Sequence, residues 1–373
     1  MSDVAIIFGG PSPEHDVSVL TGLQAARELA GTHSVRALYW STAGEWFEVS
    51  PELEAAAFAE GVPRNAAPVH LVAGPGGGFV TEGRLGRRRS LDIGVAVICC
   101  HGGPGEDGAL QGALDLAGVA YTGPTVAGAA LGMDKLAFAG VAEAAGLPVL
   151  PRVLLRPGTE RLDFDGPYIV KPRFGGSSIG VEIVADLTTA RAQLAVNRHW
   201  ATGAVVEPYR ADFFDVQLAV RTWPAPELSA IERPLRTARA GGLAGEPAIL
   251  RYADKYAGGE GMASAPRELP ARIPDELAAS LREAARALVD LGLVRGVARV
   301  DFLTDGRSWV LNEVNTVPGS LARYLWVDPV VPFRKLLEDL VEEATARPAR
   351  TYSSEGADGT VLRGAASIAA KLA

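Results

Sequence analysis

Apolar residues recur along this chain in two rhythms. Residues 4–10 (VAIIFGG) form a continuous apolar run closed by a glycine pair, which predicts a strand buried on both faces and a turn after it. Val19, Leu20, Leu23, Ala26 and Leu29 then recur at helical spacing and stop near Gly31, predicting a helix. Residues 93–100 (IGVAVICC) are a second unbroken apolar run. Together these predict an open α/β domain with a parallel sheet over roughly the first 120 residues. In such sheets the strand ends carry the ligand contacts. Residues 124–208 read as helical stretches, then PYIVKP and AVVEPY around a Gly-rich turn. Beyond 208 come an irregular Gly-rich region (roughly 236–270) and a helix over 275–291. That helix carries Asp275 near its start, Leu277, Leu281, Leu288 and Leu291, and Gly292 as its stop. Two strands follow, then a helix around 333–345 with Leu336, Leu337, Leu340, Val341 and Ala344 on one face. The tail from about 347 is polar. No internal repeat is visible.

Length and charge narrow the picture. A chain of 373 residues exceeds one ordinary core, so two or three domains are expected. No stretch holds the roughly 18 consecutive apolar residues a membrane span needs. MSDVAIIFGG reads as a strand and lacks the basic region and cleavage site of a signal peptide. Cys99 and Cys100 are the only cysteines; neighbours in one strand do not readily bridge, so a reducing cytoplasmic location is expected. A net charge of −8 argues against a nucleic-acid surface. Only 5 of the 36 Lys and Arg residues are lysines, at 135, 171, 255, 335 and 371. Where such a chain keeps lysine, a compact charge for phosphate is one reason.

Candidate chemistry lies in two places. VARVDFL (297–303) and WVLNEVN (309–315) read as a hairpin. Arg299 and Asp301 share one strand face, as do Glu313 and Asn315. A three-residue loop, Asp305 to Arg307, would put Asp301 with Glu313 and Asn315, whereas a two-residue turn would put it with Asn312. The odd-length loop is expected, because it assembles an oxygen cluster suited to Mg²⁺ bound with nucleotide phosphates. The alternative is two charged residues on a solvated hairpin face. In YIVKPRFGGSSIGV (168–181), Lys171 ends an apolar strand and Gly175, Gly176, Ser177, Ser178 and Gly180 follow, a composition suited to an anion nest. It is not a Walker A loop, since the lysine precedes the glycines. GMDK (132–135) and DKYAGGEG (254–261) supply Lys135 and Lys255, the latter in a Gly-rich stretch able to act as a lid.

These residues resemble the D-alanine–D-alanine ligases of the ATP-grasp superfamily, over roughly residues 4 to 320. The matching motifs are GGPSPEHDVS (9–18), HGGPGEDGALQG (101–112), YTGPTVAGAALGMDK (121–135), VKPRFGGSSIG (170–180), DKY (254–256), ARVDF (298–302) and NEVNTVPG (312–319). The resemblance implies an N-terminal α/β substrate domain (1–124), a central ATP-grasp subdomain (125–208), a C-terminal ATP-grasp domain with metal site and lid (209–347) and a flexible tail (348–373). It implies ligation of two amino acids with ATP as co-substrate, two Mg²⁺, no nucleic-acid or membrane partner, and a homodimer. Carried over by position, Lys135, Lys171, Gly176, Ser177, Ser178 and Lys255 would serve the nucleotide, and Glu207 its adenine amino group. Asp301, Glu313 and Asn315 would ligate Mg²⁺. Glu14 would anchor the first ammonium and link to Ser177 and Tyr256, with His101 beside it. Arg299 and the Gly319 N–H would stabilise the oxyanion.

The chain departs from that pattern in two places. A ribose-binding acid falls on Asp215 only with a one-residue insertion. After NTVPG, the expected Thr and Ser are Leu321 and Tyr324, followed by Leu325, so the acceptor pocket (Tyr324, Leu325) should be smaller, displaced or differently polar. The runner-up reading is therefore a sibling enzyme with another acceptor, in specialised metabolism. Retention of Tyr256 favours an amine acceptor. A nucleotide-binding regulator is disfavoured by the intact Arg299, Asp301, Glu313 and Asn315. A Rossmann dehydrogenase is disfavoured because no strand runs into G-x-G-x-x-G.

Overall fold

A computed structural model describes residues 3–74, 76–83, 87–235, 266–349, 353–364 and 368. Among these residues the first sheet has eight strands: β1 (Asp3–Gly9), β2 (Ser34–Trp40), β3 (Trp46–Val49), β4 (Ala67–Val72), β5 (Gly78–Glu82), β6 (Arg88–Ser90), β7 (Val95–Ile98) and β8 (Ala120–Tyr121). Their order is β6-β5-β4-β3-β2-β1-β7-β8. The parallel half, β2-β1-β7-β8, is the one the apolar runs predict. The other half is an antiparallel meander that short, mixed-polarity segments did not announce.

Helix α1 (His15–Leu29) lies on β1, and Gly22 is where they touch: a Cβ there would meet Phe8 Cβ at 2.4 Å. Cys99 and Cys100 are buried, free thiols beyond β7. Burial pushes the Cys100 thiol up to about 12, so neither is a poised nucleophile.

Helices α2 (Ala109–Ala117), α3 (Val126–Met133) and α4 (Lys135–Ala144) lead to a second sheet. It comprises β9 (Val153–Leu155), β10 (Tyr168–Pro172), β11 (Glu182–Val184) and β12 (Ala204–Pro208), in the order β11-β10-β12-β9. Helix α5 (Leu187–Leu194) backs it. The third sheet is built from β13 (Phe214–Arg221) and β14 (Glu227–Leu228), with a separate ribbon β15 (Arg233–Pro234) and β16 (Arg267–Glu268), and closes with β17 (Val297–Thr304) and β18 (Trp309–Asn315). Helix α6 (Asp275–Asp290) covers it through Leu277, Leu281 and Leu288, as its periodicity predicts.

Helix α7 (Phe333–Ala346) is where the pattern predicts it, but its destination is not local. Leu336, Leu337, Leu340 and Val341 join the apolar cluster of the first sheet. The chain thus returns to cover its own N-terminal domain. No described helix is long and apolar enough to cross a membrane.

Candidate active site

The second and third sheets face each other across a cleft of about 1120 Å³. Its lining includes Lys135, Lys171, Gly176, Ser178, Glu207, Asp215, Gln217, Asp301, Asn312 and Glu313. Lys171 closes β10, and Glu207 sits on the adjacent β12, opposite Ile169. The Lys171 Nζ donates to Glu207 Oε2 at 3.0 Å and to Asn312 Oδ1 at 3.2 Å. Glu207 is fully buried, and Arg152 Nε lies 2.6 Å from its other oxygen. Burial alone would raise this carboxyl; Arg152, then Lys171 and Lys135, hold it below its ordinary value instead.

Lys135 begins α4, whose N-cap Asp134 accepts from the N–H groups of Leu136 and Ala137 and is gripped by Arg173. The Lys135 Nζ donates to Gly175 O at 2.5 Å and lies 3.5 Å from Glu313 Oε2. After β10 the chain turns through Ser177 and Ser178, both in the left-handed region (φ 54° and 57°), between Gly175 and Gly180. Non-glycine residues rarely adopt that conformation, and its cost is typical of a functional turn.

The metal-ligand candidates are brought together, but not by the expected route. The hairpin loop has four residues, 305–308, because Thr304 pairs with Trp309. The expected three-residue loop is wrong, and an even loop alone would have turned Asp301 toward Asn312. A β-bulge corrects the parity: Phe302 pairs with Leu311, but Asp301 pairs with Glu313, so Asn312 is the extra residue. Asp301 then faces Glu313, and Arg299 faces Asn315. Arg299 grips Asp301 with two hydrogen bonds (2.7 and 2.8 Å), and Asn315 Nδ2 donates to Asp301 at 3.0 Å. Among the described residues no group of three His, Cys, Asp or Glu side chains could hold a metal. Two carboxylates and an amide oxygen remain an all-oxygen set suited to a hard cation.

Beside the cleft is a smaller polar chamber lined by Glu14, His101, Glu106, Ser177, Arg299, Glu313, Asn315, Val317, Pro318 and Gly319. The Ser177 hydroxyl donates to Glu14, tying the Gly-rich loop to the chamber. Gly102 and Gly176 leave room for that carboxylate; a Cβ on either would lie 2.5 or 3.1 Å from Glu14 Oε2. His101 is buried, with Nδ1 2.7 Å from Val317 O and Nε2 2.8 Å from Thr21 Oγ1. Burial holds this imidazole below its ordinary value, which favours the neutral ring, Nδ1–H donating to the carbonyl. Both nitrogens are thus engaged within the protein, and the ring holds the Val317–Gly319 loop in place.

Three expected residues need separate treatment. Leu325 is fully buried in the apolar cluster of the first sheet, so its side chain points into the core and only its backbone is left for an acceptor. Tyr324 does not line the chamber either: it packs against Arg299, and the Arg267 guanidinium lies 4.9 Å from its ring centre. The turn before it is left-handed at Ser320, Leu321 and Ala322 (φ 51°, 48° and 52°), and burial of the last two plus the Ser320 N–H to Thr21 hold it. That handedness aims Tyr324 and Leu325 differently from a right-handed turn. Lys255 and Tyr256 lie outside the described residues.

Sequence reading missed Arg152, Glu106, Gln217 and Asn312. Glu106 receives the N–H groups of Gly102 (2.8 Å) and Val317 (2.9 Å), so it joins the two loops of the chamber. It sits in the quoted HGGPGEDG motif, which was the available signal. Asn312 sits in NEVN, but nothing marks it as a bulge.

Comparison with known proteins bears on this geometry. A family model described as D-ala D-ala ligase N-terminus matches residues 3–124, and one described as D-ala D-ala ligase C-terminus matches residues 140–342. The chain is 32% identical to a D-alanine–D-alanine ligase of Mycobacterium ulcerans over 365 residues, covering 92% of this chain and 95% of that one. It is 33% identical to one of Rhodococcus opacus, covering 92% and 97%. Its fold matches the solved D-alanine–D-alanine ligase of Coxiella burnetii with a TM-score of 0.74 at 23% identity, covering 93% and 94%.

Proposed function

We propose, on the premise that this chain belongs to the D-alanine–D-alanine ligase family, that it joins two D-alanine molecules into a dipeptide with release of ADP and phosphate. The observation that carries this reading is the Ser177–Glu14 hydrogen bond, which couples the Gly-rich loop of the cleft to the chamber holding Arg299. A carboxylate is a poor acylating agent at neutral pH. Activation as an acyl phosphate solves this, and the protein then has to position and neutralise charge.

In this reading ATP occupies the cleft. Glu207 receives the adenine amino group, and Asp215 faces the ribose. Lys135, Lys171, Lys255 and the turn at Gly176, Ser177 and Ser178 serve the phosphates. Asp301, Glu313 and Asn315 would hold two Mg²⁺, which supply charge neutralisation there. Glu14, linked to Ser177, anchors the ammonium of the first amino acid, and His101 borders its site; the family resemblance assigns Tyr256 to the same group. When the second amine attacks, negative charge collects on the carbonyl oxygen. Arg299 and the Gly319 N–H would receive it, a role supported by their both lining the chamber; losing such a donor typically costs roughly 10²–10³ in rate. Arg299 shares its fork with Asp301, so its direction is set before substrate arrives.

The enzyme would act in the cytoplasm as a homodimer. The free thiols of Cys99 and Cys100 accord with that location. The test is phosphate release with Mg²⁺-ATP and D-alanine alone, then with a panel of D- and L-amino acids as acceptors. Robust turnover with D-alanine alone is expected. No D-alanine-dependent turnover, with activity restored by another acceptor, would replace this reading with the sibling enzyme raised by Leu321 and Tyr324.

A further inference from the structure

Arg152 lies just ahead of β9, outside every motif quoted above. Its side chain is 2% exposed and touches three elements at once. Nη1 donates to the Lys135 carbonyl at the start of α4 (2.6 Å), and Nη2 to the Asn312 carbonyl at the bulge of β18 (3.1 Å). Nε lies 2.6 Å from Glu207 Oε1 on β12. Arg152 does not line the cleft; it stands behind Glu207, and Lys171 stands in front.

The charge count makes this arrangement consequential. The cations facing Glu207 are Arg152 from the segment before β9, Lys171 from β10 and Lys135 from α4. The two lysines line the cleft, where an anionic ligand competes for them. Arg152 is held behind the cleft wall by its three contacts and cannot lose its proton at physiological pH. A buried carboxylate stripped of its counter-charge is strongly disfavoured.

We infer that Arg152 is a positioning residue of the nucleotide site: it is the standing counter-charge of Glu207, which frees Lys171 and Lys135 for the ligand's phosphates. It also fixes Glu207, Lys135 and Asn312 relative to one another. This rests on the reading that the cleft takes ATP, and extends it to a residue that touches no part of the nucleotide.

The test is calorimetric titration of the full-length protein with Mg²⁺-ATP, without amino acids, from pH 6 to 8.5. The proteins are the wild type, Arg152→Met, Arg152→Lys, Glu207→Gln and the double variant Arg152→Met/Glu207→Gln. Expressed as a ratio to wild type at each pH, Arg152→Met should bind more weakly, most of all at high pH, and the deficit should shrink as pH falls, because a proton taken up by Glu207 on binding replaces the missing counter-charge. The recovery is at most about tenfold for each pH unit below the carboxyl value of the bound state. Arg152→Lys should keep the flat profile of the wild type. In the Glu207→Gln background, Arg152→Met should add no pH dependence. The KM for the amino acids should be unchanged in Arg152→Met, while that for ATP rises. Wild-type affinity in Arg152→Met at every pH overturns the inference. So does an equal loss at every pH that persists in the Glu207→Gln background, which marks a purely structural brace. If Arg152→Met does not fold, Arg152→Lys decides: a pH-dependent ratio that Glu207→Gln fails to remove overturns the inference. A wild type that binds no ATP instead overturns the reading of the cleft.

Discussion

Glu106 offers a quantitative check on the chamber. Its carboxyl is buried, accepts two backbone N–H groups and is held at about 7, against an ordinary 4.5. Burial is the main cause and the charge of Glu14 the second; the two N–H groups and Arg299 oppose them. Such a carboxyl holds its proton more tightly in the folded protein by on the order of 3 kcal/mol. The stability this contributes is complete below the unfolded value. It falls as pH rises from about 4.5, where the unfolded chain ionises, and is lost above about 7, where the folded one does too. Glu106→Gln removes the proton, and its amide can accept from only one of the two N–H groups, a constant penalty. Urea unfolding of both proteins at pH 4.5, 5.5, 6.5 and 7.5 isolates the effect, because the other titrations nearly cancel in the difference. The wild type should lose on the order of 3 kcal/mol relative to Glu106→Gln across that range. A difference that stays flat, or that grows in favour of the wild type with pH, refutes the argument.

Other outcomes follow from single contacts. Ser177→Ala removes a hydrogen bond to a carboxylate, worth about 1.5–3 kcal/mol, and should lower kcat/KM for the amino acid by roughly ten- to a hundredfold in a phosphate-release assay. Gly22→Ala would put a Cβ 2.4 Å from Phe8 Cβ and should cost roughly 1–3 kcal/mol in urea unfolding, leaving the ATP KM of the folded fraction unchanged. Asp301→Asn removes one carboxylate from the oxygen cluster and loosens Arg299; the Mg²⁺ concentration for half-maximal phosphate release should rise by at least roughly tenfold.

Elements that bury a continuous run or a helical stripe were legible. β1, α1, α6 and α7 fall where their periodicity puts them, because each is stabilised by its own apolar pattern. What α7 packs against was not legible, since periodicity names a face but not its partner. The candidate site splits in the same way. Glu14 with Ser177, and Asp301 with Glu313, could be named from motifs. Arg152 and Glu106 take their meaning from partners as far away as Asn312 and Val317, about which local sequence is silent. The burial of the Leu325 side chain was not legible either, because three consecutive left-handed residues redirect the chain, and nothing in Ser-Leu-Ala announces that conformation.

The bulge at Asn312 separates two design variables that a plain hairpin would lock together. In an unbroken ladder, tip length and side-chain phase are one quantity, and each inserted residue flips every ligand beyond it. Here the phase is reset next to the site. The tip at 305–308 becomes a tolerant graft point where a short tag or reporter could be accommodated, while deletion of the single residue Asn312 would leave Glu313 opposite Asp301 and remove only the two acceptors that Arg152 and Lys171 use there.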